Sequence, residues 1–153
     1  MNGNNLQEAL SLHDTLCSAS TAVLETMFFT EPMLRLDAPV HVDPLAGLLH
    51  SSGAENSTFS VAIDRAALVV LCESFYGDAP TSTQPFELLC EFTNMIAGST
   101  LSHYSPSHFC PLSSPQLCDI AVHLAGSALP DATLLSFAVE GGLISITWSL
   151  RTK

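Results

Sequence analysis

Two acids, an amide and a glycine recur at helical spacing in the segment PFELLCEFTNMIAGST, residues 85–100. They are Glu87, Glu91, Asn94 and Gly98, and we call them the polar stripe. At about 100° of rotation per residue, spacings of four, three and four place all of them within an arc of ~60° on one helix. A carboxylate and a carboxamide three residues apart can reach the same external point. This arrangement suits chemistry on a molecule that docks from outside.

The apolar residues of the same segment indicate how the helix is buried. Those expected on the side opposite the polar stripe are Leu88, Leu89, Phe92, Met95 and Ile96. The alternative for the stripe is an ordinary solvated helix face, which most such polar pairs form. Asparagine is a mediocre helix former, and a mid-helix glycine costs roughly 1 kcal/mol against alanine. Asn94 in mid-helix therefore favours a functional role, whereas Gly98 indicates close approach either of a partner or of a packed neighbouring element.

Composition limits the classes of protein that the chain can belong to. Its 153 residues are 47% hydrophobic and 12% charged, which predicts one globular domain. The 15 acidic residues far outnumber the four basic ones, so nucleic acid and anionic membrane surfaces are unsuitable partners. No apolar run has the length of a membrane span, and no secretory signal is recognisable. Five cysteines without CxxC spacing favour reduced thiols in a cytoplasm.

Apolar periodicity divides the chain into a short start and one domain. Residues 1–10 are polar and are expected to be loose, and residues 11–153 are expected to form a single domain. The segments predicted to be helical are 11–29, then 65–76 with Asp64 as N-cap and Gly77 as stop, and then Pro85 to about His103.

Strand-like runs fill much of the remaining chain. Runs at 45–50 and 57–63 flank a loop of turn residues and predict a hairpin. Residues 30–44 are expected to be irregular or to hold a short edge strand around Ala38–Val42. Further strands are predicted over 118–124, 134–139 and 143–149, the last two joined by a turn at Gly141 and Gly142. This order predicts an α+β fold, a two-layer sandwich of an antiparallel sheet with helices packed on it.

Other chemistries find little support in the sequence. His103, His108 and Cys110 match no familiar zinc spacing, so no metal site is predicted. Ser102, His103 and Asp119 are scattered without a nucleophile elbow. No glycine-rich phosphate loop follows a strand, which argues against nucleotide binding.

The block ELLCEFTNMIAGS resembles the chemotaxis phosphatases of the CheC/CheX group. Their helices carry an acid-x-x-Asn signature followed by a short spacer and glycine, which corresponds here to Glu91 and Asn94, then Gly98. The resemblance runs from about residue 12 to the end. It includes the stretches ASTAVLETMFFTEP (19–32), TFSVAIDRAALVVLCESFYGD (58–78) and LLSFAVEGGLISITWSL (134–150).

The similarity is closer to CheX-like domains than to CheC. CheC-type proteins can carry a second acid-x-x-Asn on the first helix, whereas the corresponding stretch here is Glu25-Thr26-Met27-Phe28. A phenyl ring cannot orient water, so one active helix is expected. Two positions depart from the family: Glu87 replaces a usual Asp or Ser, and Ser99 replaces a usual Asn.

The resemblance implies a phosphatase for the aspartyl-phosphate of a response-regulator receiver domain such as CheY, acting in the cytoplasm. Asn94 would orient the attacking water and Glu91 would pair with the receiver's lysine. Glu87 and Gly98 would contact the partner. No cofactor of its own is implied, because the receiver supplies its own magnesium ion.

The sequence leaves two other functions open. One is a non-catalytic CheX-like module that binds a receiver or a signalling complex. The other is a relative of flagellar switch components. The edge strands of such a sheet also favour a homodimer.

Overall fold

The computed structural model describes residues 3–150, with side chains from Leu12 onward, and within that range the chain forms four helices and six strands. The elements in chain order are α1 (Gly3–Phe28), β1 (Met33–Arg35), β2 (Pro44–Ser51), β3 (Ser57–Asp64), α2 (Arg65–Tyr76), α3 (Gln84–Tyr104), β4 (Gln116–Cys118), α4 (Ile120–Ser127), β5 (Ala132–Val139) and β6 (Gly142–Leu150). The backbone of α1 is already helical at Gly3. The side chains of residues 1–10 lie outside the described part, so their looseness stays a prediction.

The strands form one sheet in the order β1-β5-β6-β3-β2-β4, and every neighbouring pair is antiparallel. The predicted hairpin is β2–β3, in register from Pro44 opposite Asp64 to Ser51 opposite Ser57. The predicted Gly-Gly turn joins β5 to β6. Gly141 there has φ 93°, and a Cβ on it would lie 3.0 Å from the backbone of Ala67, so both conformation and space require glycine.

One face of the sheet carries the main hydrophobic core under α1 and α3. Its residues occupy every second position of the central strands, as the pleat of a sheet requires: Phe59, Val61 and Ile63 on β3, and Ile144, Ile146 and Trp148 on β6. The ring of Trp148 stacks on Phe59, with centroids 5.5 Å apart, and meets Tyr104 of α3 edge-on at 5.1 Å. The predicted α+β sandwich is confirmed.

The second face of the sheet is covered in part by α4, a helix where the sequence predicted a strand. Residues 118–124 were expected to be extended, but the strand β4 ends at Cys118 and a helix follows. Asp119 explains the change, because its side chain caps the helix by accepting a hydrogen bond from the Ala121 amide at 3.1 Å. The short apolar run after it fits a helix turn as well as a strand.

The region before β2 is mostly irregular, which is one of the two forms predicted for it, but its edge strand lies elsewhere than predicted. The edge strand is Met33–Arg35 and not Ala38–Val42, since the segment 36–43 leaves the sheet edge and folds toward Asp64. Asp64 was expected to cap α2, but its side chain makes no cap hydrogen bond. It accepts instead from the amides of Val42 and Leu143, each at 2.9 Å. Among the described helices, none is long and apolar enough to cross a membrane.

Candidate functional site

The helix α3 presents the polar stripe on its outer face. Glu87 and Glu91 are exposed, and Asn94 and Gly98 are half-buried. The buried residues of the helix are Leu88, Leu89, Phe92, Thr93, Ile96, Ala97, Thr100 and Leu101. Met95 was expected opposite the stripe, but it is only half-buried. It lies about 40° from Glu91 on the helix and so borders the stripe.

Close packing fixes α3 against the sheet and against α1. A Cβ on Gly47 of β2 would lie 2.8 Å from Thr93 Oγ1, so the helix rests almost directly on that strand. Phe92 meets Phe28 of α1 edge-on, with ring centroids 5.4 Å apart. The backbone that carries Glu91 and Asn94 is therefore held on two sides.

The side chains of Glu91 and Asn94 make no hydrogen bond or ion pair with any residue whose side chain is described. A helix places residues three apart on neighbouring positions of one face, so both groups point toward the same region outside the protein. Carboxylate and amide are thus available together to an external partner.

Tyr76, at the end of α2, lies beside the polar stripe. Burial raises the pKa of its phenol, and the charges of Cys72, Glu87 and Glu91 raise it further. The ring is 37% exposed and packs edge-on against Phe75 at 5.0 Å. An aromatic surface therefore borders the acids. Sequence reasoning missed Tyr76, since its position next to α3 depends on how two helices pack.

Among the side chains of α1 that the structure describes, from Leu12 onward, there is no second amide of this kind. Phe28 takes the place of the amide in Glu25-Thr26-Met27-Phe28 and is completely buried. Its ring contacts Phe75 at 5.7 Å as well as Phe92. At this position α1 contributes to the core.

Gly98 is not required by the fold itself. The nearest atom to a Cβ built on it is Leu112 Cδ1 at 4.0 Å, which is ordinary contact. A cavity of ≈ 280 Å³ opens next to it, with the exposed ring of Phe109 at its side. Any need for glycine at this position would come from a partner.

The residues considered for other chemistry have local roles. The His103 ring donates from Nδ1 to the Ser99 carbonyl at 2.7 Å, and His108 Nδ1 lies 3.1 Å from Ser105 Oγ. Asp119 caps α4. Among the described residues, no group of three or more His, Cys, Asp or Glu side chains is arranged to hold a metal ion.

A different polar cluster is buried on the α4 face of the sheet, and sequence reasoning missed it. It is a chain of five side chains, which we call the buried relay: Ser60, His123, Ser145, His41 and Asp64. The successive distances are 2.8 Å, 2.8 Å, 2.7 Å and 2.8 Å. These residues lie far apart in sequence, so no local spacing could have indicated the cluster.

One set of hydrogen positions satisfies every member of the buried relay with both histidines neutral. The Ser60 hydroxyl donates to His123 Nδ1, and His123 Nε2–H donates to Ser145 Oγ. The Ser145 hydroxyl donates to His41 Nε2, and His41 Nδ1–H donates to the Asp64 carboxylate. Ser145, His41 and Asp64 thus have the order of a hydrolase triad. Ser145 is 0% exposed, however, so no substrate can reach it and the relay is structural.

Comparison by sequence gives no relative for the chain. No protein-family model matches it. No curated protein matches it either.

Comparison of folds gives a consistent answer, because the chain superposes over most of its length on solved chemotaxis proteins. The chemotaxis protein CheX from Vibrio vulnificus is 17% identical with a TM-score of 0.73, covering 92% of this chain and 96% of that one. The CheX–CheY–BeF3–Mg²⁺ complex from Borrelia burgdorferi matches at 13% identity and TM-score 0.72, with coverage of 91% and 97%. A CheC-like superfamily protein from Shewanella sp. PV-4 matches at 16% identity and TM-score 0.70, with coverage of 99% and 100%.

The chain therefore has the fold of the CheX and CheC-like chemotaxis proteins. Its six-stranded antiparallel sheet and four helices correspond to theirs along nearly the whole chain. At these identities the likeness concerns the fold, and the chemistry must be argued from this chain's own residues.

Proposed function

We propose that this protein accelerates hydrolysis of the aspartyl-phosphate of a response-regulator receiver domain, in chemotaxis or a related two-component pathway. The observation that supports it most is the pair Glu91 and Asn94, accessible together and without a partner among the described side chains, on the firmly packed helix α3. The fold supports it too, since a CheX of the same fold has been solved in complex with CheY.

The chemistry requires a positioned water more than a reactive side chain. Phosphoryl transfer gains most from alignment and electrostatics, and a carboxamide offers both an acceptor and donors at neutral pH. In this proposal Asn94 holds the attacking water in line with the scissile bond. Glu91 pairs with the receiver's lysine and fixes the helix in the partner's site. No covalent intermediate forms on this protein.

The partner completes the site. The protein brings no cofactor of its own, and the magnesium ion resides on the receiver. Glu87 and Gly98 contact the receiver on either side of the reacting pair. The proposal also places the protein in the cytoplasm, which fits its five cysteines, all of them free.

The second candidate function is a non-catalytic receiver-binding module. It is distinguished from the phosphatase by whether the side chains of the polar stripe are accessible and free of hydrogen bonds within the protein. A non-catalytic module does not need a free carboxylate and a free amide on the same face. Its two side chains could be hydrogen-bonded to each other or buried. Glu91 is exposed, and neither it nor Asn94 is bonded to a described side chain. This accessibility favours the phosphatase.

The decisive experiment follows loss of phosphate from phosphorylated receiver domains mixed with this protein. With the cognate receiver, the wild type accelerates decay and Asn94→Ala lowers that acceleration by roughly 10–100-fold, because the water loses its orienting group. Asn56→Ala is the matched control: Asn56 is also half-buried, but it lies in the β2–β3 turn. Equal rates for wild type and Asn94→Ala contradict the catalytic assignment.

A second arm of the same experiment separates docking from chemistry. Glu91→Gln removes the charge that pairs with the receiver's lysine, so the concentration of receiver needed for half-maximal rate should rise about tenfold, most at low salt. Glu140→Gln, an exposed glutamate of the β5–β6 turn, should leave it unchanged. Binding of a receiver by the wild type with no acceleration of decay over a panel of receivers identifies the module instead.

We also propose that two copies associate through the β1 edge of the sheet. Among the strands of residues 3–150, Met33–Arg35 is an outer one whose second edge pairs with no other, and Met33 is 68% exposed. Leu36 next to it is 92% exposed. Apolar side chains beside an open strand edge favour association with another strand.

A further inference from the structure

A cavity of ≈ 260 Å³ lies between α4 and the sheet, on the face opposite α3. We call it the α4 cavity. The residues that line it are Leu48 and His50 of β2, Thr58 and Ser60 of β3, Thr147 and Ser149 of β6, and Val122, Gly126 and Leu129 in and after α4. It therefore has a floor of strand residues, mostly hydroxyl-bearing, under a wall of apolar residues.

One hydroxyl of that floor lacks a partner. Thr147 is 2% exposed, and its buried Oγ1 makes no hydrogen bond within the described part of the chain. Its neighbours Ile146 and Trp148 belong to the main core, so strand alternation directs Thr147 to the α4 face. Ser60, directly opposite on β3, already uses its hydroxyl on His123. Since buried polar groups normally have partners, this hydroxyl has capacity for a bound molecule.

The chemistry of the lining defines what could bind. Within the part of the chain that the structure describes, no Lys, Arg, Asp or Glu lines the cavity. The ring of His50 is engaged by Thr58 Oγ1 at 3.0 Å. An ion entering here would lose its hydration without an opposite charge to replace it. Leu48, Val122 and Leu129 supply apolar contacts for the body of a ligand.

We propose that the α4 cavity binds a small uncharged molecule with an apolar body and one hydroxyl or carbonyl group, which forms a hydrogen bond with Thr147 Oγ1. The cavity is slightly smaller than the range of about 300–1,000 Å³ typical of drug-sized ligand sites, so the ligand is of fragment size. The site lies on the opposite face of the sheet from the polar stripe and stands independently of the phosphatase proposal.

The test uses the full chain and three probes of similar size. Benzyl alcohol is uncharged, whereas benzoate and benzylammonium carry opposite charges, and each is titrated while backbone amide signals are followed by NMR. Benzyl alcohol should shift the amides of Thr147 and Gly126 saturably, and the two ions should not. Absence of saturable shifts with benzyl alcohol, or equal binding of either ion, overturns the proposal.

Two variants locate the ligand. Thr147→Val keeps the shape and removes the hydroxyl, so benzyl alcohol should bind about three- to tenfold more weakly. The same variant should unfold at a higher temperature than the wild type, because an unpartnered buried hydroxyl is gone. A Cβ on Gly126 meets no atom within 4 Å, so Gly126→Leu can fill the cavity without a clash and should abolish binding.

The matched control is Ala125→Leu, which adds a similar side chain at an exposed position of α4 outside the lining. It should bind benzyl alcohol like the wild type. Unchanged affinity in Gly126→Leu places the probe elsewhere and overturns the assignment of the site.

Discussion

The difference in exposure between Glu91 and Asn94 fits the different roles proposed for them. Asn94 is half-buried and follows the buried pair Phe92 and Thr93, so its backbone is fixed where a water must be held in one orientation. Glu91 is exposed and can extend toward a lysine on a partner. In the proposed mechanism the half-buried residue positions the water, and the exposed one makes the first contact with the partner.

His123 is expected to make stability depend on pH. Burial and then the nearby His41 lower the pKa of the His123 imidazole from 6.5 to about 4. Between these values the unfolded chain binds the proton and the folded chain does not, so the free energy of unfolding falls as pH falls from 6.5 to about 4. The full shift corresponds to on the order of 3 kcal/mol. Urea unfolding measured across this window tests it.

The control for this prediction removes a histidine outside the relay. Acidic side chains also titrate in this range, so the informative quantity is the change in pH dependence between variants. His123→Gln should flatten the curve, whereas His13→Gln on α1, whose side chain is 45% exposed, should leave it as in the wild type. An identical pH dependence in both variants contradicts the role given to His123.

At the scale of elements, the contact between α1 and α3 sets how firmly the polar stripe is held. Phe28 is completely buried and touches both Phe75 and Phe92. Phe28→Ala should lower the free energy of unfolding by about 3–5 kcal/mol. The next residue gives the matched control: Phe29 is 82% exposed, and Phe29→Ala should change stability by less than about 0.5 kcal/mol. Urea midpoints measure both, and similar losses contradict the packing described here.

Elements with a strong local signal were predictable from the sequence. The β2–β3 hairpin was indicated by two strand-like runs around turn residues, and α3 by its apolar period and Pro85 in the first turn. The helix α4 was not predictable, because its short apolar run fits a helix as well as a strand. The N-cap at Asp119 selects the helix. The edge strand was misplaced for a related reason: three residues carry little periodicity.

The candidate site was predictable to the same extent. The helix period alone placed Glu87, Glu91, Asn94 and Gly98 on one face, as the structure has them. Tyr76 and the buried relay were not foreseeable, since their positions follow from packing between distant segments. The roles of the stripe residues stay predictions until kinetic measurements test them.

At the scale of the whole molecule, the two faces of the sheet differ in the polarity of their side chains. The face under α1 and α3 is almost purely apolar, and it supports the helix that carries the polar stripe. The face under α4 is rich in hydroxyls and imidazoles, and it holds the buried relay and the α4 cavity. Docking and small-molecule binding would thus occur on opposite sides of one sheet.

The proposed homodimer is tested at this scale by comparing the two outer strands. Light scattering after gel filtration should give twice the mass of the chain, and Met33→Lys on β1 should return the protein to a monomer, because a charged edge disfavours strand pairing. Leu117→Lys on the opposite outer strand β4 is the control, since Leu117 is 46% exposed there. A monomer over the whole concentration range, or equal effects of both substitutions, argues against the β1 edge.

Trp148, the one tryptophan of the chain, lies 1% exposed between Phe59 of the sheet and Tyr104 at the end of α3. Its indole N–H has no hydrogen-bond partner among the described residues, so the ring sits in an apolar environment. Indole fluorescence moves to longer wavelength when water reaches the ring. The emission spectrum therefore reports whether α3 is seated on the sheet, and every unfolding measurement above can be read without a label.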